Sequence, residues 1–149
     1  MEIRPADFSD VPAMTRIVAG AYRKYIERIG KPPGPMLDDY VMRVRSHAAW
    51  VAEVDGAVAG LIVLLPEEEH LLLDNVAVDP AHQGVGIGRA LLRFAEAEAI
   101  RRGCVALRLY THEKMTENLA MYAALGWEET GRGEHDGYQR VFFCKRLHR

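Results

Sequence analysis

Apolar residues recur along this chain with two spacings, one typical of strands and one typical of helices. The clearest strand signal is an apolar run from Leu71 to Val78, interrupted only by Asp74 and Asn75. Asp79-Pro80 ends the run, because proline cannot extend a strand ladder and biases the preceding residue away from the right-handed helical region. We therefore expect a buried strand here, followed at once by a turn.

A long helix is predicted next, and Gly103 ends it. Its apolar side repeats with helical spacing and comprises Ile87, Ala90, Leu91, Phe94 and Ala95. The polar residues on the opposite side are Arg89, Arg93 and Glu96. Glu98 falls on the apolar side, so either the helix edge is open there or the phase of the helix is slightly shifted.

The chain before this stretch shows weaker signals of the same two kinds. They predict a first strand at Glu2–Arg4, a helix capped by Asp7 or Ser9 that runs to about Ile29, and a second helix from Met36 to about Arg45. The strands Ala49–Glu53 and Ala57–Leu65 follow, joined by the hairpin turn Asp55-Gly56.

The chain after the long helix predicts one more helix among strands. The elements are a strand at Val105–Tyr110, a helix over Glu117–Leu125 capped by Thr116, and strands at Trp127–Thr130 and Tyr138–Lys145 joined by the polar loop Gly131–Gly137. The order is β-α-α-β-β-β-α-β-α-β-β, in one domain over residues 1–149. It implies an α/β (α+β) fold with a mixed, mostly antiparallel sheet of about seven strands and helices on both faces.

Composition excludes several classes of protein. The 149 residues are 49% hydrophobic and 27% charged, as in ordinary globular domains. A net charge of −2 without a basic block argues against nucleic acid as the main partner. The chain has no apolar run of membrane-spanning length and starts with polar residues, so we expect a cytoplasmic protein. Cys104 and Cys144 are expected to be reduced, buried thiols.

The segment Gln83–Gly88 lies between the central strand and the long helix and carries three alternate glycines. Strand, glycine turn and helix together favour phosphate binding, because the first helical amides lack partners and glycine permits close approach. A Walker loop is excluded because Arg89-Ala90 follow Gly88, where that loop has Lys-Ser/Thr. The dinucleotide fingerprint G-x-G-x-x-G/A is excluded because its third small residue is missing in both possible registers. The pattern that fits is Gln-x-x-Gly-x-Gly, although glycines placed for a turn alone are an alternative.

This pattern resembles the acyl-CoA-binding motif of the GNAT superfamily of N-acyltransferases, and the element order matches that fold from end to end. The resemblance implies an acetyl-CoA-dependent N-acetyltransferase that binds the pyrophosphate of coenzyme A in this loop, without a metal. It also implies that the amides of Val76 and Val78 hold the pantetheine and thioester. The implied cofactor-binding residues are Val76, Ala77, Val78, Gln83, Gly84, Val85, Gly86, Ile87, Gly88, Arg89, Asn118 and Tyr122.

Acetyl transfer to an amine requires a proton donor for the departing thiolate. Asn118 and Tyr122 are four residues apart on a predicted helix and so share a face. The resemblance assigns Tyr122 as the general acid and Asn118 as a cofactor contact. A half-buried packing role for Tyr122 is the alternative.

The amine also requires a base, because an alkylamine is almost entirely protonated at pH 7 and only the free amine can attack. Some GNAT members use a glutamate on the central strand, but Leu72 occupies that position here. Asp74 shares its strand face and is the first candidate for the base, and His112 is the second. The alternative role of Asp74 is to form hydrogen bonds with the neighbouring backbone, without taking part in catalysis. The six histidines, at positions 47, 70, 82, 112, 135 and 148, form no metal-binding pattern.

The acceptor site is expected at the first helical pair and the polar loop between the last two strands. Its candidate residues are Tyr22, Tyr25, His112 and His135, with acidic walls from Asp38, Asp39, Glu134 and Asp136 that are alternatively solvated surface charges. The predicted acceptor is the primary amine of a small molecule. The alternatives are a protein N-terminal or lysine amine, and a non-catalytic acetyl-CoA sensor. The sequence is compatible with a homodimer but does not determine the oligomeric state.

Overall fold

The computed structural model describes residues 1–147, so His148 lies outside the described residues. The strands are β1 (Glu2–Pro5), β2 (Ala49–Val54), β3 (Ala57–Pro66), β4 (His70–Val78), β5 (Ala106–His112), β6 (Glu128–His135) and β7 (Tyr138–Arg146). The α-helices are α1 (Val11–Ile29), α2 (Tyr40–Arg45), α3 (Ile87–Arg101) and α4 (Thr116–Ala124). Short 3-10 turns cover Phe8–Asp10, Gly34–Leu37 and Pro80–His82.

The seven strands form one sheet in the order β1-β2-β3-β4-β5-β7-β6. The pairs β1–β2, β2–β3, β5–β7 and β6–β7 are antiparallel, whereas β4–β5 is parallel. The predicted fold class and element order are therefore confirmed. Within residues 1–147, no helix is long and apolar enough to cross a membrane.

The chain divides into two compact units. The first unit comprises Met1–Leu64 with Asn75–Ala95, and the second comprises Leu65–Asp74 with the chain from Glu96 onward. Both β3 and β4 thus contribute residues to each unit.

The first unit contains the long helix α1 and the hairpin β2–β3. The buried side of α1 consists of Met14, Ile17, Val18, Tyr22 and Tyr25. The hairpin turn Asp55-Gly56 is confirmed, since both residues have positive φ (51° and 81°), as a type I′ turn requires. At Gly60 a Cβ would lie 3.1 Å from Ile87 Cγ2 and 3.2 Å from Leu91 Cδ1, so this glycine permits close packing of β3 and α3.

The second unit contains the paired strands β5, β7 and β6 and the first half of β4. His70–Leu73 of β4 pair in parallel with Ala106–Leu109 of β5. Leu109 lies opposite Phe143 on β7, and Tyr110 lies opposite Phe142. Because neighbouring strand residues point to opposite sides, Phe142 and Phe143 define the two faces of this part of the sheet.

The predicted polar loop over Gly131–Gly137 is wrong. This segment continues β6 to His135 and then turns at Asp136-Gly137, where φ is 53° and 80°. All eight residues of β6 are exposed, so the strand carries no alternation of apolar and polar residues that periodicity could detect. Asp136-Gly137 repeats the hairpin signal of Asp55-Gly56 and could have revealed the second hairpin.

The predicted helix from Met36 to Arg45 is interrupted. A 3-10 turn ends at Leu37, Asp38 is extended, and α2 begins after Asp39, whose carboxylate accepts from Met42 N–H at 3.1 Å. Two successive aspartates favour this break, because short polar side chains compete for backbone N–H groups and so favour helix starts.

Three smaller expectations also change. Thr116 is the first residue of α4 rather than its cap, since Met115 holds the cap position and the Thr116 hydroxyl contacts Glu117. Glu98 is half-buried at the helix edge, and its carboxylate accepts hydrogen bonds from Arg101 and Arg102, which explains a charge on the apolar stripe. Cys104 and Cys144 are free thiols as expected, but both are half-buried rather than buried.

A partly buried ion pair joins β1 to the end of the 3-10 turn that precedes α1. Arg4 Nη1 and Nη2 donate to the two carboxylate oxygens of Asp10 at 2.8 and 3.0 Å, and Asp7 N–H donates to the same carboxylate at 2.8 Å. Asp10 is 5% exposed. The hydrogen bonds from Arg4 lower the pKa of Asp10 below its ordinary value of 3.8.

We expect Asp10→Asn to lower the free energy of unfolding by about 2 kcal/mol at neutral pH, as for hydrogen bonds to a buried charge. A depressed carboxyl pKa adds stability above the ordinary pKa, and this stability is lost as pH falls through the folded-state pKa. Urea denaturation of both proteins should therefore give a gap that is constant at neutral pH and shrinks below about pH 4. A gap of the same size at pH 7 and pH 2 would contradict this account.

Candidate active site

The turn between β4 and α3 places two glycines in the left-handed region. Gly84 has φ 85° and Gly86 has φ 89°. A Cβ on either residue would find no other heavy atom within 4 Å, and both residues are exposed. Gly88 also has room for a side chain, since its Cβ would lie 3.6 Å from Val78 Cγ2. The positive φ favours glycine at positions 84 and 86, whereas neither backbone conformation nor packing within the protein requires it at position 88. An external ligand in close contact would account for the third glycine.

The first turn of α3 leaves backbone donors available. The first hydrogen bond of the helix runs from Ala90 N–H to Gly86 O at 3.1 Å, so the N–H groups of Ile87, Gly88 and Arg89 precede it. These donors and the positive end of the helix dipole favour an anion at this point. Ile87 anchors the turn, being 3% exposed, whereas Val85 is 72% exposed at its tip.

The residues leading into this turn are held by local hydrogen bonds. Asp79 Oδ1 accepts from Ala81 N–H at 3.0 Å and so caps the short 3-10 turn. Gln83 Nε2 lies 3.5 Å from Val78 O, at the limit for a hydrogen bond, while the rest of Gln83 is exposed. His82 Nδ1 is buried, has no hydrogen-bond partner among residues 1–147, and lies 3.7 Å from Asp79 Oδ2.

Strand β4 extends well beyond the segment that pairs with β5. The pairing runs to Leu73, and the strand continues to Val78. Along this second half Asn75 and Ala77 are buried, whereas Val76 and Val78 are half-buried. The strand therefore leads past its paired segment directly into the glycine turn.

A buried hydrogen-bond network is centred on Asn75, which is 3% exposed. Tyr22 Oη donates to Asn75 Oδ1 at 2.7 Å and also lies 3.1 Å from Val76 O. Asn75 Nδ2 donates to Tyr40 Oη at 2.9 Å, and Tyr40 Oη donates to Pro35 O at 2.6 Å. One amide side chain thus links α1, α2 and the segment between them to the backbone of β4.

On one face of the second unit, Tyr110 lies between a carboxylate and a guanidinium. Tyr110 Oη donates to Asp74 Oδ1 at 3.1 Å, and Arg140 Cζ lies 4.1 Å from the centre of the Tyr110 ring. Burial, followed by the charge of Asp74, raises the pKa of Tyr110 to about 12. Tyr110 is therefore a neutral hydrogen-bond donor throughout the physiological pH range.

The two candidate histidines lie near the same cluster. The His112 ring is buried, lies edge-on to Tyr138 at 6.2 Å between centres, and its Nδ1 accepts from Lys114 N–H at 3.1 Å. The exposed His135 lies 6.4 Å from the Tyr110 ring and its Nδ1 is 3.3 Å from Asp136 Oδ2.

Tyr122 lies on the other face of the second unit. It is 5% exposed and packs against Trp127 and Phe143, with ring centres 5.7 and 5.8 Å away. Asn118, one helical turn earlier on α4, is half-buried. Since Tyr110 contacts Phe142 at 6.3 Å, Tyr122 and Tyr110 occupy opposite faces.

These features were compared with known proteins. A family model described as the acetyltransferase (GNAT) family matches residues 12–127, which include α1, the glycine turn and α4. The chain belongs to the GNAT acetyltransferase family.

Individual relatives of this GNAT family member match it over part of their length. N-acetyltransferase family 8 member 3 of Rattus norvegicus is 35% identical over 88 residues, which are 55% of this chain and 39% of that protein. N-acetylaspartate synthetase of Homo sapiens is 28% identical over 130 residues, 76% of this chain and 41% of that protein. This chain thus spans less than half the length of these curated relatives.

The fold is shared with solved GNAT structures. The PaiA N-acetyltransferase of Thermoplasma acidophilum, solved in complex with coenzyme A, aligns with a TM-score of 0.78 and 19% identity over 98% of each chain. At this identity the likeness concerns the fold alone.

Several residues predicted for the acceptor site make contacts with other side chains of the protein. Tyr22 belongs to the Asn75 network, and the buried Tyr25 has Lys24 Nζ and Arg28 Cζ 5.0 and 5.3 Å from its ring centre. Asp38 pairs with Arg43 at 2.9 Å. The first helical pair therefore uses much of its polar chemistry internally. Among the described residues, no group of three or more metal-binding side chains occurs.

Sequence reasoning missed three residues of this region, namely Asn75, Tyr110 and Arg140. Asn75 could have been found from the alternation of the strand, because it lies on the same face as Leu73 and Ala77, which are buried. Tyr110 and Arg140 come together only through the pairing of β5 with β7, which no local sequence pattern encodes.

We expect Asn75→Ala to reduce the free energy of unfolding by about 2 kcal/mol, because two buried hydroxyl groups lose a partner. The matched test is a double-mutant cycle with Tyr22→Phe, measured by urea denaturation. Since the two side chains share one hydrogen bond, the cycle should give a coupling of about 1 kcal/mol. Strict additivity would contradict the network.

Proposed function

We propose that this GNAT family member transfers the acetyl group of acetyl-CoA to the primary amine of a small molecule. The observation that carries the proposal is the glycine turn, where Gly84 and Gly86 expose backbone donors at the start of α3. A diphosphate accepts hydrogen bonds from such donors and is favoured by the helix dipole. The resemblance to the GNAT motif implies that this turn binds the pyrophosphate of coenzyme A.

In the proposed reaction the amine nitrogen attacks the thioester carbonyl carbon. A C–N bond forms, the C–S bond breaks, the amine loses a proton, and the thiolate gains one. The N–H groups of Val76 and Val78, beyond the segment of β4 paired with β5, would bind the pantetheine and stabilise charge on the carbonyl oxygen. This placement rests on the strand geometry and on the family resemblance.

The proton transfers are proposed for two residues. Tyr122 would donate to the sulfur, with Asn118 as a cofactor contact on the same helix. Asp74 would accept the proton of the amine, directly or through water, while Tyr110 holds its carboxylate in place. Because Asp74 and Tyr122 lie on opposite faces of the second unit, the thioester would lie beyond Leu73, where β4 no longer pairs with β5 and both faces can be reached. His112 is the second candidate for the base, although its Nδ1 already accepts a backbone hydrogen bond.

The glycine turn is tested with Gly86→Ala. Because an alanine with positive φ is strained and the turn must shift to relieve it, we expect the Kd for coenzyme A to rise about tenfold or more, equivalent to about 1.4 kcal/mol. The matched control is Gly30→Ala, since Gly30 also has φ 89° and open space around a Cβ but ends α1. Calorimetric titration with coenzyme A should separate the two variants.

Equal affinity in Gly86→Ala, Gly30→Ala and the wild type would remove the turn from the binding site. If the wild type itself gave no heat with millimolar coenzyme A or acetyl-CoA, the proposed function would fail.

The proton donor is tested with Tyr122→Phe. We expect turnover to fall about 10²-fold or more with little change in coenzyme A affinity, because only the hydroxyl is removed. Thiol release from acetyl-CoA, followed with a thiol reagent, measures turnover, and urea denaturation checks that the ring cluster remains packed. Unchanged turnover would assign Tyr122 to packing alone.

Two alternatives remain part of the same test. A protein N-terminal or lysine amine as acceptor would appear as turnover with peptides but not with small amines. A non-catalytic sensor would bind acetyl-CoA without thiol release for any amine.

A further inference from the structure

Arg140 is held among aromatic rings in the second unit. It lies on β7 opposite His112 of β5, and its guanidinium carbon is 4.1 Å from the centre of the Tyr110 ring and 5.0 Å from that of Tyr138. Stacking on both rings fixes the plane of the guanidinium and stabilises its charge. The aromatic rings do not, however, supply the in-plane oxygen acceptors that its N–H groups require.

The hydrogen-bonding state of Arg140 is unlike that of other arginines in this chain. Its Nε is buried and has no hydrogen-bond partner among residues 1–147. Arg4, Arg43 and Arg132 each donate to a carboxylate within the protein, to Asp10, Asp38 and Glu129 respectively. A buried donor without an acceptor is costly, so this site favours a ligand that brings one.

The charges around Arg140 have a defined arrangement. Asp74 accepts a hydrogen bond from the Tyr110 hydroxyl, and Arg140 lies over the ring of the same tyrosine, so a carboxylate and a guanidinium both contact one side chain. His135 and the exposed Asp136 lie at the rim, where the hairpin β6–β7 turns. All of these residues belong to the second unit. A molecule with an ammonium group and a carboxylate a few bonds apart matches this pair of charges.

We propose that Arg140 binds a carboxylate of the acceptor, and that the acceptor is an amino acid or a closely related amino carboxylate. Its amine would lie beside Asp74, and its carboxylate would accept hydrogen bonds from the guanidinium of Arg140, whose Nε–H has no acceptor among residues 1–147. This inference rests on the proposed function for its reaction but on Arg140 and its neighbours for its chemistry. The name of one relative, N-acetylaspartate synthetase, is consistent with an amino-acid acceptor.

A polyamine fits the cluster less well. Its second ammonium group would face the guanidinium of Arg140, and like charges at close range in a partly buried site repel strongly. An amino phosphate would also bind a guanidinium, so it serves as a comparison in the test.

The experiment compares each amino acid with its own carboxamide, which has nearly the same size but no negative charge. Steady-state kcat and KM are measured at saturating acetyl-CoA for the wild type, Arg140→Gln and Arg140→Lys. Phosphoethanolamine and a polyamine complete the panel. Arg132→Gln on the neighbouring strand is the control, because Arg132 is an exposed arginine paired with Glu129.

We expect the wild type to prefer the free acid over the amide. Arg140→Gln should raise KM for the free acid at least tenfold and leave KM for the amide unchanged. A separate titration with acetyl-CoA at a fixed amine concentration should give the same KM for acetyl-CoA as the wild type. Arg140→Lys should give an intermediate KM, since lysine keeps the charge but loses the bidentate geometry. Arg132→Gln should match the wild type in all constants.

Three results would overturn the inference. They are a wild-type preference for the amide or the polyamine, equal changes for acid and amide in Arg140→Gln, and a preference for phosphoethanolamine that Arg140→Gln abolishes. The last result would assign Arg140 to a phosphate rather than a carboxylate.

Calorimetry separates failure of this inference from failure of the proposed function. Amino carboxylates are titrated into the wild type and Arg140→Gln, with and without coenzyme A. If no amine is acetylated but amino carboxylates bind the wild type and bind Arg140→Gln at least tenfold more weakly, the proposed function fails and the carboxylate site stands. If coenzyme A binds and no amino carboxylate does, the inference fails and the proposed function stands.

Discussion

The central constraint in this structure is that a strand must pass into a helix while leaving backbone N–H groups facing outward. Two residues with positive φ, Gly84 and Gly86, make this possible, and Ile87 anchors the helix start in the core. A side chain at either glycine would strain the backbone at the point where the donors must converge. The family resemblance, the anion preference and the proposed cofactor site all depend on this turn.

The same strand carries a second requirement, which is met by a buried amide. Asn75 binds the hydroxyl groups of Tyr22 and Tyr40, and through them the helical segments before β2 are tied to β4. A buried amide with both of its ends satisfied orders its surroundings, whereas a single missing partner would be costly. This network holds the backbone next to Val76 in a defined position.

The second unit separates two kinds of chemistry by the alternation of its strands. Tyr122 packs with Trp127 and Phe143 on one face, whereas Tyr110, Asp74 and Arg140 share the other. Neighbouring residues of β7 thus serve different faces, as Phe142 and Phe143 show. The Tyr122 cluster and the Arg140 cluster therefore have no residue in common.

The sequence alone determined the element order, the glycine turn and the hairpin at Asp55-Gly56, because each depends on local backbone preferences and on periodic burial. It predicted only the first part of β6, over Trp127–Thr130, and missed the continuation of the strand to His135. An exposed edge strand has no alternation of apolar residues, although Asp136-Gly137 signals its turn. The partners of Asn75 and Arg140 were decided by the tertiary structure only. Asn75 contacts residues 35 or more positions away, and Arg140 meets Tyr110 across the paired strands β5 and β7. Local sequence carries no record of such contacts.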